Sequence, residues 1–123
     1  MPVTKQASRK LKNRPKPISQ IRSLRSKYLI SQSLLARLLD ISLRSVSALE
    51  SGSIALGRTA RRFAEIKRLC DALSDVSKPA YIGEWLQIPN EMLGGLKPVE
   101  AIERGQSDLV WQLVEGLRTG SHL

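Results

Sequence analysis

Apolar residues recur along this chain three and four positions apart, the spacing that gathers side chains on one helix face, and Gly, Pro and Ser separate the runs. Ile18, Ile21, Leu24, Arg25 and Tyr28 fit a first helix that packs beneath the next two, and Lys27 stands where a helix C-terminus favours a cation. Leu34, Leu35, Leu38 and Leu39 make a second apolar face. Ser31 is placed to cap that helix, and the small Ala36 lets a neighbour approach. Asp40-Ile41-Ser42 then reads as a turn that buries Ile41 and offers Ser42 as the cap of a third helix. This one carries Val46 and Leu49 inward and ends at Ser51 before Gly52. A longer fourth helix is predicted from Arg58 to Leu73, with Ala60, Phe63, Ile66, Leu69, Cys70 and Leu73 on one side. Beyond it, Pro79 to Leu86 forms a short helix that Ile88-Pro89-Asn90 stops, because Pro89 lacks an amide donor and disfavours helix at Ile88. Gly94-Gly95 makes a tight turn, Pro98 opens a helix that Gly105 ends, and Leu109 to Leu117 supplies a last one before Gly120. The predicted fold is all-α.

Two short helices joined by the turn at 40–42 constitute a helix-turn-helix, the usual way of seating one helix in a DNA major groove. An ordinary helical hairpin within a bundle has the same periodicity. On the first reading the second helix turns Leu43, Arg44, Ser45, Ser47 and Ala48 toward a partner. Arg44 is suited to a bidentate contact with guanine, Leu43 and Ala48 to thymine methyls, and Ser45 and Ser47 to adaptable hydrogen bonds; Ser42 lies at the same end. Arg58, Arg61 and Arg62 cluster at the start of the fourth helix, opposite to the preference of the helix dipole, which points to phosphate contact or to a solvated charged face.

The stretch from Ser31 to Gly52 resembles the helix-turn-helix of the Xre and phage-repressor family, with the pattern SQxxLAxxLGVSxxxVSxxExG. The matching residues are Ser31, Gln32, Leu35, Ala36, Leu39, Ile41, Ser42, Val46, Ser47, Glu50 and Gly52. The resemblance implies that Gln32 anchors the DNA backbone. It departs at Asp40, where the family usually has Gly. That position requires positive φ, which Asp tolerates better than most residues.

Charge agrees with a polyanionic partner for one end of the chain. The 123 residues carry a net charge of +9, and 41% are hydrophobic but only 4% aromatic, so the core is built from Leu, Ile, Val and Ala. Residues 1–69 hold 16 Lys and Arg against three acids, a net +13, whereas residues 70–123 hold four against eight, a net −4. Residues 1–17 carry six of those cations, three prolines and no acid. They read as a flexible basic arm that lies along phosphates, enters a minor groove or is simply solvated. The lone Cys70 sits on an apolar face and forms no internal disulfide. His122, the single histidine, is the penultimate residue, so no metal site or catalytic constellation can be assembled and no cofactor is expected. No apolar run is long enough to span a bilayer or to serve as a secretory segment, and the expectation is a soluble, cytoplasmic protein that is not an enzyme.

The second half resembles the C-terminal toxin-binding domain of the Xre/MbcA/ParS antitoxins, whose pattern is approximately WLxxPNxxLGGxxPxExLxxGxxxxVxxxLxxIxxG. The matches are Trp85, Leu86, Pro89, Asn90, Leu93, Gly94, Gly95, Pro98, Glu100, Ile102, Gly105, Val110, Val114, Leu117 and Gly120. By residue type alone, Trp85, Leu93, Val110 and Leu113 suit the core of any small helical module, and the Gly and Pro residues its punctuation. With the basic arm at 1–17 set apart by its composition, the resemblance implies a DNA-binding domain at 18–75 and a toxin-binding, dimerising domain at 76–123. It implies that this last domain binds a RES-domain toxin, an NAD⁺-degrading enzyme, and blocks its active site with the chain terminus. Trp85, Pro89, Asn90, Leu93, Gly94, Gly95, Pro98, Arg118, Gly120, His122 and Leu123 are then the candidate toxin-binding residues. Members of that family also commonly repress their own operon as dimers. The alternatives are a stand-alone Xre-family regulator whose C-terminal module dimerises or binds another protein, and a basic architectural DNA binder.

Overall fold

The computed structural model describes residues 17–120; the basic stretch at 1–16 and the candidate residues His122 and Leu123 lie outside them. Among the described residues the fold is all-α, with seven α-helices and three short 3₁₀ turns. The first helix, α1, runs Pro17–Tyr28, and α2 and α3 follow at Gln32–Leu39 and Leu43–Ser51. Both caps expected of serine form: Ser31 Oγ accepts from Leu34 N–H at 3.0 Å, and Ser42 Oγ accepts from Ser45 N–H at 3.0 Å. Asp40 adopts φ 56° and ψ 48°, the left-handed conformation expected of it, and its N–H donates to the Ala36 and Arg37 carbonyls at the end of α2. Leu29 does the same after α1 with φ 50°, a conformation that costs an L-residue about 1 kcal/mol and that the apolar pattern does not disclose.

The fourth helix is shorter than predicted. Gly57–Thr59 forms a 3₁₀ turn, and α4 begins only at Ala60, running to Leu73, so Arg58 precedes the helix proper. The segment Pro79–Tyr81 is also 3₁₀ and leads into a single turn, α5, at Ile82–Trp85. After the 3₁₀ turn Glu91–Leu93 the chain reverses through Gly94 and Gly95, with φ 67° and 88°, a pairing that only glycine adopts without strain. Pro98 opens α6, Pro98–Glu103, where Glu100 reaches back to accept from Lys97 N–H at 2.9 Å. The last helix, α7, spans Ser107–Thr119, longer than predicted at both ends, because Gly105 and Gly120 set its limits rather than the apolar run itself.

The helices on either side of residue 75 share one continuous apolar core. Leu35, Leu38, Val46, Ile66 and Leu69 belong to the same cluster as Ile82, Leu86, Val99, Ile102 and Val114, each fully or almost fully buried and each worth about 1.5–3 kcal/mol in removed apolar surface. α6 lies against α2, α7 against α4, and the 79–81 turn against α1. Two arginines reinforce the first of these contacts. Arg37 on α2 makes a two-pronged bond to Glu103 on α6, with Nη2–Oε1 at 2.7 Å and Nε–Oε2 at 3.0 Å. Arg62 on α4 reaches the carbonyl of Leu38 at 3.0 Å and that of Ile102 at 3.3 Å, joining the ends of both helices.

The 79–81 turn can approach α1 because the next element contains Gly83. A Cβ there would lie 2.8 Å from the Tyr28 carbonyl oxygen and closer still to that of Leu29. Tyr28 in turn ties α1 to α4 by donating its hydroxyl to Asp71, which also accepts from Lys67 at 3.0 Å. Burial, and then the bond to Asp71, pushes the Tyr28 phenol above its ordinary pKa. Burial alone would raise the Asp71 carboxyl, but the bonds from Tyr28 and Lys67 outweigh it and hold that pKa below the usual range.

Candidate functional site

Helix α3 turns one face to the core and one to solvent, as its spacing requires. Val46 and Leu49 are buried, while Ser42, Leu43, Arg44 and Ser47 are exposed and Ser45 and Ala48 half-buried. Arg44, Ser47, Ala48 and Ser51 recur at i, i+3, i+4 and i+7 and therefore lie along one stripe of the helix. Leu43, 49% exposed at the first position of α3, is an apolar side chain held in water beside an arginine that makes no ion pair with any described residue. Ser42 and Ser45 are linked, hydroxyl to hydroxyl, at 2.9 Å, so both are oriented before any partner arrives.

Behind this face lies Glu50, the one charged residue among the described residues that is buried in the core, at 8% exposure. Its Oε1 pairs with Arg25 Nη1 from α1, and its Oε2 accepts from Gln32 Nε2 of α2 at 3.0 Å. Arg25 Nε also donates to the Ile30 carbonyl at 3.0 Å. One carboxylate thus ties three helices together and fixes the side chain of Gln32. A buried charge is tolerable only with such partners, and removing Arg25 would leave it uncompensated at a cost of about 3–5 kcal/mol.

The three clustered arginines separate in the structure. Arg58 and Arg61 are exposed. Arg62 is half-buried, and its guanidinium is committed to the carbonyls of Leu38 and Ile102, which makes it an internal strut. The three arginines adjacent in sequence therefore serve two ends: Arg58 and Arg61 face solvent, and Arg62 braces the fold. Ile54, 47% exposed in the loop after α3, is an apolar residue for which periodicity gives no signal because the loop is not helical.

The second group of candidates is divided in the same manner. Leu93 and Pro98 are buried, and Trp85 is half-buried against the core. Asn90 organises the reversal: its Oδ1 accepts from Met92 N–H at 2.9 Å, its own N–H donates to Leu96 at 3.0 Å, and its carbonyl receives the N–H groups of Leu93 and Gly95, each at 3.0 Å. Gly94 and Gly95 complete that turn. The turn presents apolar side chains outward beside the exposed Glu91: Ile88 is 49% and Met92 62% exposed, with Pro89 between them. Arg118, exposed on the last turn of α7, pairs with Glu115 at 3.0 Å and with Asp75 at 3.6 Å, and Gly120 ends the helix in the left-handed conformation. A shallow cavity of about 400 Å³ lies along α7, lined by Trp111, Gln112, Glu115, Gly116 and Thr119. Apart from Thr119, which belongs to the chain end expected to reach a toxin, these residues carry no signal in the sequence, although Trp111 stands beside the apolar stripe of Val110 and Val114 and is half-buried.

No protein-family model matches the chain. Over 94 residues it is 28% identical to a probable mycobacterial cidal antitoxin of Mycobacterium tuberculosis, an alignment covering 76% of this chain and 81% of that protein. The fold is one already seen. It superposes with a TM-score of 0.72 on a chain from the crystal structure of the M. tuberculosis MbcT-MbcA toxin-antitoxin complex, at 22% identity, covering 86% of this chain and 96% of that one. No helix among the described residues is long and apolar enough to cross a membrane.

Proposed function

We propose that this chain is the antitoxin of a toxin–antitoxin pair, one that neutralises a RES-domain toxin degrading NAD⁺ through its C-terminal helices and represses its own operon through α2 and α3. The observation that carries the reading is the 28% identity to a probable antitoxin sustained over 94 residues. In favour of the DNA-binding part stand the exposed stripe through Arg44, the capped and oriented start of α3, and the net charge of +13 over residues 1–69. In favour of a protein partner at the other end stand the exposed Ile88, Pro89 and Met92, the cavity at Trp111, and the net −4 of residues 70–123. Trp85, Asn90, Gly94, Gly95 and Gly120 shape that surface, Leu93 and Pro98 support it from within, and the end of the chain from Arg118 to Leu123 enters the toxin's NAD⁺ pocket. Two copies bind a two-fold symmetric operator with half-sites about one helical turn apart, because one short recognition helix contacts too few base pairs to select a site alone.

Co-expression is the deciding experiment. With a RES-type reading frame adjacent to its gene, the chain is expected to restore growth and to co-purify with the toxin. Persistent growth arrest with no complex would overturn neutralisation, and footprinting that finds no protected sequence upstream of the gene would overturn repression.

A further inference from the structure

We propose that the outer side of α1 forms a second contact for the DNA backbone, made by Arg22 and Ser26. This rests on the DNA-binding reading above and adds to it an element that sequence periodicity had assigned to packing alone. A groove of about 450 Å³ runs along α1 beside the start of α2, and Arg22, Arg25, Ser26, Ser31 and Glu50 are among the residues that line it. Arg22 and Ser26 stand four positions apart on the same helix and are both exposed.

The charges in the groove do not cancel. Glu50, its one carboxylate, already serves Arg25 through Oε1 and Gln32 through Oε2, so it does not hold Arg22. Arg25 commits Nε to the Ile30 carbonyl and Nη1 to Glu50, and its Nη2 makes no hydrogen bond with the described residues. Arg22 makes no ion pair with them either. What remains is a cation, a serine hydroxyl and a partly unused guanidinium edge along one trough, the donor set that binds a phosphodiester oxygen.

Position selects the occupant. The groove is bounded by Ser31, the cap of α2, which adjoins Gln32, the candidate backbone anchor, and Glu50 closes it from the core side of α3. In a docked helix-turn-helix the first helix of the pair crosses the sugar–phosphate backbone, and a trough beside its start follows the strand as it leaves the major groove. An acidic peptide would find the same cations. It would have no reason to compete with the contact at Arg44.

The test uses the full chain with two duplexes of equal length, one from upstream of its own gene and one of random sequence, titrated over a range of salt. Arg22→Ala is expected to weaken binding to both by the same factor, on the order of 5–10-fold, and to lower the slope of log affinity against log salt by about 0.9. Ser26→Asp, which puts a carboxylate in the trough, is expected to weaken both further, and Arg22→Lys to retain most of the slope. Thermal unfolding is expected to be unchanged in all three, since both positions are exposed. Affinity and slope equal to wild type in Arg22→Ala and Ser26→Asp would overturn the proposal. Arg44→Ala on the same duplexes separates the two claims: if it abolishes preference for the upstream duplex while Arg22→Ala changes nothing, α3 reads DNA and the groove does not touch it. If the unaltered chain binds neither duplex, both claims fail.

Discussion

At the scale of single residues, the arginines of this chain show how one residue type is used in several ways. Arg25, Arg37 and Arg62 each take an internal or interhelical partner, whereas Arg44 extends into solvent from the second position of α3. A guanidinium with no ion-pair partner among the described residues retains its full donor set for a guanine edge. Arg44→Ala is therefore expected to cost about 1–3 kcal/mol on specific DNA and to relax preference at one base position, measured by titration of operator variants. An equal loss on random duplex would make Arg44 a phosphate contact instead. Neutralisation of a toxin is expected to be unaffected in the same variant, because Arg44 belongs to α3, on the far side of the sequence from every candidate toxin-binding residue.

At the scale of elements, two junctions can be tested. Gly83 lets α5 press onto the carbonyls of Tyr28 and Leu29, and any Cβ there collides with backbone, which cannot turn aside as a flexible side chain would. Gly83→Ala is expected to destabilise the fold by roughly 1–3 kcal/mol in urea unfolding, a large cost for one methyl group. A change within 0.5 kcal/mol would show that α1 and α5 part easily. The end of α7 behaves oppositely. Among the described residues Arg118 pairs with exposed Glu115 and Asp75 alone, contacts worth about 0–1 kcal/mol, so removing residues 118–123 is expected to leave the fold and DNA binding intact while abolishing toxin neutralisation. Growth rescue and duplex binding measured on that truncation decide it. Loss of both activities would show that the two surfaces are not separable.

At the scale of the whole molecule, the shared core makes stability a property of all seven helices, and its titratable members set an alkaline limit. Cys70 is fully buried in that core, and burial, with a smaller contribution from Asp71, pushes its thiol up to about 12. The unfolded chain releases this proton near pH 9 while the folded chain retains it, so the unfolded state gains as pH rises from about 9 toward 12, and the contribution is fully present below 9. The expected loss is about 2 kcal/mol between roughly pH 9 and 10.5, with Tyr28 acting in the same sense at higher pH. Urea unfolding as a function of pH checks this. Cys70→Ala is expected to flatten the decline, and an identical decline in that variant would place its cause elsewhere.

Which parts of this molecule were legible in the chain follows from what is local. Helix faces, the serine caps at Ser31 and Ser42, the left-handed Asp40 and the reversal at Gly94-Gly95 depend on neighbours within a few positions, and the order of residues by itself determined them. The exposed side of α3, and with it the stripe through Arg44, followed from the same periodicity. Leu29 in the left-handed region was not legible, because its conformation is imposed by the exit from α1 and not by any preference of leucine. Nor was the division among Arg58, Arg61 and Arg62: three cations on one short stretch look alike until α2 and α6 bring the Leu38 and Ile102 carbonyls within reach of the third. That Arg22 keeps its charge in the groove was likewise not legible, because it depends on Glu50, twenty-five positions from Arg25, taking that arginine and Gln32. Periodicity states which face of a helix is buried; which charges are spent inside the fold, and which remain for a partner, was decided by contacts between residues far apart in the chain.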